Sequence, residues 1–167
     1  AAAVTAAKYP DADTVVVDDR IHTRYEADGS ETTWDDEWVK CLTEKGRRDL
    51  ASVETSFSLR YGDGAIQTVE ILGTNGEVRT VDFAKTLKIA TDNGGMSSNI
   101  YDPLDKTLAC AVPGLAIGET RHVITVRRTL KPRMKDTWGD LDSLEGFSPI
   151  VQTVVTVDQP AGRPLAH

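Results

Sequence analysis

The 167-residue chain contains little of the chemistry from which active sites are built. Its two cysteines, Cys41 and Cys110, are too far apart for a Cys-x-x-C redox or zinc motif, and its three histidines lack a zinc-ligand spacing. There is no Gly-x-Ser-x-Gly nucleophile motif and no glycine-rich loop that opens a helix to hold phosphate. We therefore predict no catalytic, cofactor-binding or metal-ligating residue in this chain.

Long apolar runs are missing as well. None approaches the roughly 20 residues that a membrane-spanning helix needs, and the initial AAAVTAA lacks the basic and apolar regions of a signal peptide. The net charge of −7 argues against nucleic acid or an anionic membrane as a partner, because both attract surfaces rich in Lys and Arg. We expect no nucleic-acid partner and no membrane span.

What the sequence does contain is alternation of apolar and polar residues. In 14–27 the apolar residues share one phase of period 2, which predicts a strand with one buried face formed by Val15, Val17, Ile21 and Tyr25. Asp28-Gly29 favours a tight turn. The segment 32–43 then returns as a second strand, with Trp34 and Trp38 on one face.

Turn signals at close intervals divide the rest of the chain. Asn75-Gly76 centres the clearest hairpin, and further strand patterns occupy 52–63, 105–114, 117–132 and 149–160. Only 44–53 favours a short helix. The pattern predicts an all-β fold, an antiparallel two-sheet β-sandwich with long irregular loops at 84–104 and 134–148. We place a single domain at 9–160, after a flexible lead (1–8) and before a truncated tail or linker (161–167).

Two residue groups raise the question of chemistry without answering it. Cys110 lies within a strand pattern, which favours a buried thiol over a nucleophile; a disulfide with Cys41 stays open, conditional on export. The acidic run Asp140–Glu145 resembles the start of a calcium loop but lacks the oxygen ligand and the glycine at its fifth and sixth positions. Whether it binds an ion is left open.

The aromatic residues suggest a binding surface. Exposed together on a sandwich, they would form a platform for a sugar; otherwise they pack in the core or across strands. The set comprises Trp34, Trp38 and Trp138, with Tyr61 and Tyr101. We take Trp34, Trp38 and Trp138 as candidate contacts for a ligand or a partner.

Four motifs, in this order, resemble a bacterial N-terminal domain of unknown function that precedes transglutaminase-like domains. The first is the Tyr-Pro entry at 9–13, followed by the Asp-Gly hairpin. The second is the Glu-x-Gly-Arg step at 44–51, the third is PGLAIGE at 113–119, and the fourth is PAGRPL at 160–165. The resemblance covers nearly the whole chain and departs from the family pattern at 91–104 and 134–148.

The resemblance implies a β-sandwich in an exported, periplasmic or envelope-associated protein. It also implies a downstream transglutaminase-like domain with a Cys-His-Asp triad, which has no counterpart here. We therefore expect a non-catalytic accessory domain that packs on the catalytic domain or positions its substrate, with an apolar patch beside the C-terminal tail. The alternative is a stand-alone carbohydrate-binding module that uses the candidate tryptophans. The ligand would accordingly be a peptide or a glycan.

Overall fold

A computed structural model describes residues 3–92, 101–141 and 144–163 of the chain. The all-β prediction is confirmed. Besides one α-helix, α1 (Glu44–Asp49), and one 3₁₀ turn (Phe83–Lys85), these residues form the strands β1 (Thr14–Tyr25), β2 (Glu31–Cys41), β3 (Ser52–Ser58), β4 (Gly62–Leu72), β5 (Val78–Thr80), β6 (Lys88–Thr91), β7 (Asp105–Ala111), β8 (Thr120–Thr129) and β9 (Thr153–Asp158).

The strands form two sheets, as the sequence predicts. The larger sheet has the order β5-β4-β8-β2-β1-β9, and the smaller has the order β3-β7-β6. Neighbouring strands are antiparallel, except that β9 runs parallel to β1. Both predicted hairpins form, between β1 and β2 and between β4 and β5. Their turns contain Gly29 and Gly76, whose φ angles of +88° and +86° favour glycine.

One apolar core fills the space between the sheets. The inner face of the larger sheet, which faces the smaller sheet, supplies Val39, Val69, Ile71 and Val123 to it. The smaller sheet packs mainly against β4 and β8. The larger sheet therefore has a covered half, β5-β4-β8, and an open half, β2-β1-β9, which lies beside β3.

A β-bulge in β1 changes which residues of that strand face inward, compared with the face predicted from the sequence. The pairing register with β2 shifts between Val16 and Asp18. An extra residue exchanges the two faces of a strand, so Val15 lies on the outer face, where it packs with Leu42 in a separate cluster, whereas Tyr25 faces inward. The single predicted face was therefore wrong for β1, because alternation alone does not reveal a bulge.

Two further predictions about local structure were wrong. Part of the segment predicted as irregular pairs with β7 as the edge strand β6. The pair Gly62 and Gly64, which the sequence predicts to lie in a turn, belongs to β4. A Cβ atom on Gly62 would come within 1.6 Å of the Arg128 carbonyl oxygen, and one on Gly64 would meet the Phe57 ring at 2.6 Å. Close packing, and not a turn, explains both glycines.

No helix in the described ranges is long and apolar enough to cross a membrane.

Candidate binding surfaces

Trp34 and Trp38 lie on the outer face of the larger sheet, and both are half-buried. Each tryptophan stacks on a histidine. The ring of Trp34 lies 5.4 Å from that of His22, with the Arg24 guanidinium 6.0 Å away, and the ring of Trp38 lies 3.8 Å from that of His122. The two tryptophans thus form a stripe on one face of β2, and each has a histidine beside it.

Trp138 lies on the other side of the same sheet. Its ring stacks on Tyr25 at 4.7 Å, nearly parallel, and its Nε1 donates to the carboxylate of Glu31. Tyr25 and Glu31 form a cross-strand pair on the inner face. The three candidate tryptophans therefore occupy two separate surfaces. Sequence reasoning could not place Trp138, because it belongs to an irregular segment without periodicity.

His122 is the centre of a polar cluster on the outer face. Its Nδ1 lies 3.0 Å from Glu70 Oε2 and its Nε2 lies 2.9 Å from Asp36 Oδ1. Trp38 Nε1 donates to the same Asp36 oxygen at 3.0 Å. Both ring nitrogens face carboxylates, so they can donate together only when the imidazole is a cation. His122 is buried and fully engaged, which suits a structural role better than that of a catalytic base.

Two cavities lie between β3 and the inner face of the larger sheet. The larger, of about 540 Å³, is lined by the end of β3 at 56–58, by inward-facing residues of β2 and β8, and by the segment 132–140 that carries Trp138. The smaller, of about 290 Å³, is lined by the start of β3 at 52–54 and by the same two strands. The two cavities follow one another along β3.

The larger cavity has both apolar and charged walls. Glu31 accepts hydrogen bonds from Thr129 and Trp138. The carboxylate of Asp63 pairs with Arg128 through two hydrogen bonds of 2.7 and 2.9 Å. The remaining lining cations include Arg133, whose guanidinium lies 4.7 Å from the ring centre of Tyr61. Tyr101, also in the predicted aromatic set, is exposed.

The smaller cavity is acidic. Burial, followed by the charges of Asp19 and Glu37, raises the pKa of Asp35 to about 7, against an ordinary value of 3.8. Glu37 is bound by Arg121 at 3.0 Å, and Arg121 also donates to the Ser52 carbonyl oxygen at 2.9 Å. The cavity thus holds more acid than its arginine balances, which would favour a positively charged ligand group.

The two cysteines are free and buried in the core. Burial raises the pKa of both thiols, Cys41 and Cys110, which disfavours the reactive thiolate. His22, which the sequence offers as a conceivable partner for a cysteine nucleophile, is instead paired with Asp158 at 2.9 Å. The contacts of these groups are those of structural residues.

The structure describes only part of the acidic run 140–145, for which the sequence leaves ion binding open. Residues 142 and 143 of the run Asp140–Glu145 lie outside the described residues. Within the described ranges, no three His, Cys, Asp or Glu side chains come together in a way that could hold a metal ion.

The family model of a Domain of Unknown Function, DUF3857, matches residues 27–167 of the chain. Among solved structures, the chain is similar to a "putative protease" from Parabacteroides distasonis, with a TM-score of 0.73 at 16% sequence identity. That match covers 91% of this chain and 30% of the other, so the chain spans under a third of that protein. At this identity the likeness shows the fold alone.

Two more distant structures also match. A CBM3a-L domain from the cellulosome scaffoldin of Clostridium thermocellum has a TM-score of 0.40 at 12% identity, over 83% of this chain and 81% of that one. An M1 zinc metallopeptidase from Deinococcus radiodurans has a TM-score of 0.31 at 10% identity, over 70% and 20%. None of the curated proteins compared with the chain matches it significantly.

Proposed function

The chain belongs to the DUF3857 domain family, and from that premise we propose that it is a non-catalytic accessory domain of a larger protein. In that protein it packs on a transglutaminase-like catalytic domain or positions its substrate. The observation that carries the proposal is the relative length of the two matched chains. The fold of this chain accounts for only 30% of a structure described as a putative protease. A domain of this kind works beside another one.

Exposed apolar side chains near the C-terminal strand support the proposal. A monomeric domain exposes few neighbouring large apolar residues unless they meet a partner. Here six are exposed within 141–155, in or just before β9: Leu141, Leu144, Phe147, Val151, Val154 and Val155. Their exposure agrees with a partner contact near the C-terminal tail, which an accessory domain requires.

The four ordered motifs supply the finer part of the proposal. They resemble the domain that precedes transglutaminase-like domains in exported bacterial proteins, and the protein-family match agrees with a domain of unknown function. We therefore propose a periplasmic or envelope location and a papain-like neighbour that brings the Cys-His-Asp triad.

The first experiment is to sequence the native gene beyond the codon for His167. We expect the reading frame to continue into a domain with a cysteine at a helix start and later His and Asp residues. A stop codon directly after His167 would contradict the proposal.

The second experiment measures whether the apolar residues bind that domain. The following domain, expressed separately, is titrated with this chain by calorimetry. We expect Leu144→Asp and Val151→Asp to weaken binding by about tenfold or more, because a charge would be buried at the contact. Val78→Asp, at an exposed site on β5 at the far edge of the sheet, is the matched control and should bind like the wild type. Equal binding by all variants would move the contact elsewhere.

One observation supports the alternative, a carbohydrate-binding module: Trp34 and Trp38 share the outer face of the larger sheet. Titration with cell-wall glycans should then change tryptophan fluorescence, and Trp34→Ala or Trp38→Ala should abolish the change. Trp138→Ala, on the other side of the sheet, is the control. A flat titration with the wild-type chain would remove this alternative.

A further inference from the structure

β3 has a free edge. It pairs with β7 on one side, and within the described residues no strand pairs with the other side. The hydrogen bonds from Val112 N to Ala51 O and from Leu59 N to Leu104 O set the phase at the two ends of this pairing. In an antiparallel pair such bonds fall on alternate residues. The main-chain groups of Glu54 and Ser56 therefore point away from β7, toward the free edge.

The free edge borders a trench. We use this name for the two cavities along β3 together, because both have the inner faces of β2 and β8 as their floor. The trench follows the seven residues of β3, a length of about 23 Å at the usual rise of a strand. An extended peptide of six or seven residues has this length, and its main chain has the spacing that a free strand edge can bind.

Unsatisfied polar atoms are concentrated in the trench. Five buried side-chain atoms in the described residues have no hydrogen-bond partner. Three of them belong to trench residues: one oxygen of Asp35, Oγ of Ser58 and Nε of Arg121. Buried polar atoms are ordinarily paired, so these three point to a polar occupant.

The charges of the trench indicate the chemistry of the occupant. At the Ser52 end, the floor residues Asp35 and Glu37 outnumber Arg121. At the Ser58 end the acids Glu31 and Asp63 are already bound by neighbours, as described above. A ligand therefore gains most from a basic group at the acidic end, and a cation there would offset the burial and the repulsion that together raise the pKa of Asp35.

We propose that the trench binds an extended peptide segment of another protein, which adds to the free edge of β3 as a further strand and places a Lys or Arg side chain over Asp35. Glu54 and Ser56 bind the peptide main chain, and the alternate side chains of the peptide face the polar floor. A glycan does not offer donors and acceptors at the spacing of a strand edge. The inference depends only on the trench, so it holds or fails independently of any downstream domain.

Labelled peptides test the proposal on the chain as it stands. Fluorescence anisotropy compares TVTKTVT with TVTETVT, both acetylated, amidated and carrying fluorescein. We expect the lysine peptide to bind about tenfold or more tightly than the glutamate peptide. A lysine peptide methylated on alternate main-chain nitrogens should lose binding in one of its two methylation phases, because only one phase faces β3.

Two pairs of variants locate the peptide. Ser56→Pro removes an N–H that points to the free edge and spares the main-chain bonds to β7, and it should weaken binding about tenfold. Ser56→Ala loses the same side-chain bond to Thr107 of β7 but keeps the N–H, and it should bind within about twofold of the wild type. Asp35→Asn should remove most of the preference for lysine over glutamate. Asp158→Asn, on the outer face of β9, should preserve it.

Hydrogen exchange on the wild-type chain tests the same contact without a substitution, so the result does not depend on whether a variant folds. The amides of Glu54 and Ser56 should become protected when the lysine peptide is added. Absence of binding by both peptides up to millimolar concentration would overturn the proposal, as would binding without protection of these amides. A concentration-dependent dimer that Ser56→Pro dissociates would overturn it too, because a second copy would then occupy the edge.

Discussion

The two halves of the larger sheet contain three strands each but differ in what lies over their inner faces. Over the covered half, β5-β4-β8, the smaller sheet buries apolar residues such as Val69 and Ile71. Over the open half, β2-β1-β9, the inner face carries Asp19, Asp35 and Thr33. One sheet thus combines a stabilising surface with a surface kept polar.

The difference indicates that the covered half provides most of the stability of the fold, whereas the open half is available for binding. Apolar area removed from water provides the main driving force for folding, and it is concentrated in the covered half. The open half contributes less and can therefore hold polar and acidic groups. A three-stranded sheet over a six-stranded one creates this arrangement, since the smaller sheet is too narrow to cover the larger.

The largest expected effect on the free energy of unfolding comes from truncating one isoleucine in each half of the sheet. Ile71 is 1% exposed in β4, whereas Ile21 in β1 is half-buried. We expect Ile71→Ala to lower the free energy of unfolding by about 3–4 kcal/mol, because it leaves a cavity, and Ile21→Ala by about 1 kcal/mol. Urea denaturation followed by tryptophan fluorescence measures both. Equal losses would show that the two halves contribute alike.

A second comparison uses the two histidines that stack on tryptophans. His122, on β8, is buried between two carboxylates, whereas His22, on β1, is 39% exposed in its side chain beside Asp158. We expect His122→Ala to cost about 2–3 kcal/mol, because Asp36 and Glu70 lose their shared partner. His22→Ala should cause little change, since exposed ion pairs contribute little.

Thermal and urea denaturation at constant pH would measure this difference. Trp38 fluorescence offers a local check, because only the loss of His122 exposes its stacked ring face. If His22→Ala destabilised the chain as much as His122→Ala, the outer face of the open half would be as strongly packed as that of the covered half.

The sequence predicts the strands better than their partners. The two hairpins follow from Asp28-Gly29 and Asn75-Gly76, because tight turns place special demands on local residues. The bulge after Val16 and the parallel pairing of β9 escaped prediction, because both depend on contacts that are distant in the sequence. Gly62 and Gly64 were misassigned for the same reason: the groups they approach belong to other strands.

The binding surfaces were harder still to predict. Alternation placed Trp34 and Trp38 together, and the structure has them on one face. The trench has no local signature, because its floor comes from β2 and β8 and its wall from β3. Only the acidic residues of β2, at positions 35 and 37, carried a signal, and in the sequence they are indistinguishable from a solvated face.

The smallest expected effect concerns the acid at the centre of the open half. Because the pKa of Asp35 is raised in the folded chain to about 7, the folded state holds a proton that the unfolded state releases near pH 4. The contribution of Asp35 to stability should therefore be fully present below pH 4 and be lost as the pH rises to about 7. Asp35→Asn should remove this contribution and be more stable than the wild type at pH 8 by about 1–2 kcal/mol, since the carboxyl is partly exposed and water screens the repulsion. Urea denaturation from pH 4 to 8 measures it.

Asp158→Asn is the control of opposite sign, because the hydrogen bond from His22 lowers the pKa of Asp158 and the stability it provides is lost toward acid pH. If the free energies of unfolding of Asp35→Asn and the wild type changed in parallel with pH, Asp35 would not have a raised pKa in the folded chain. The trench would then lack the excess of negative charge that favours a basic ligand.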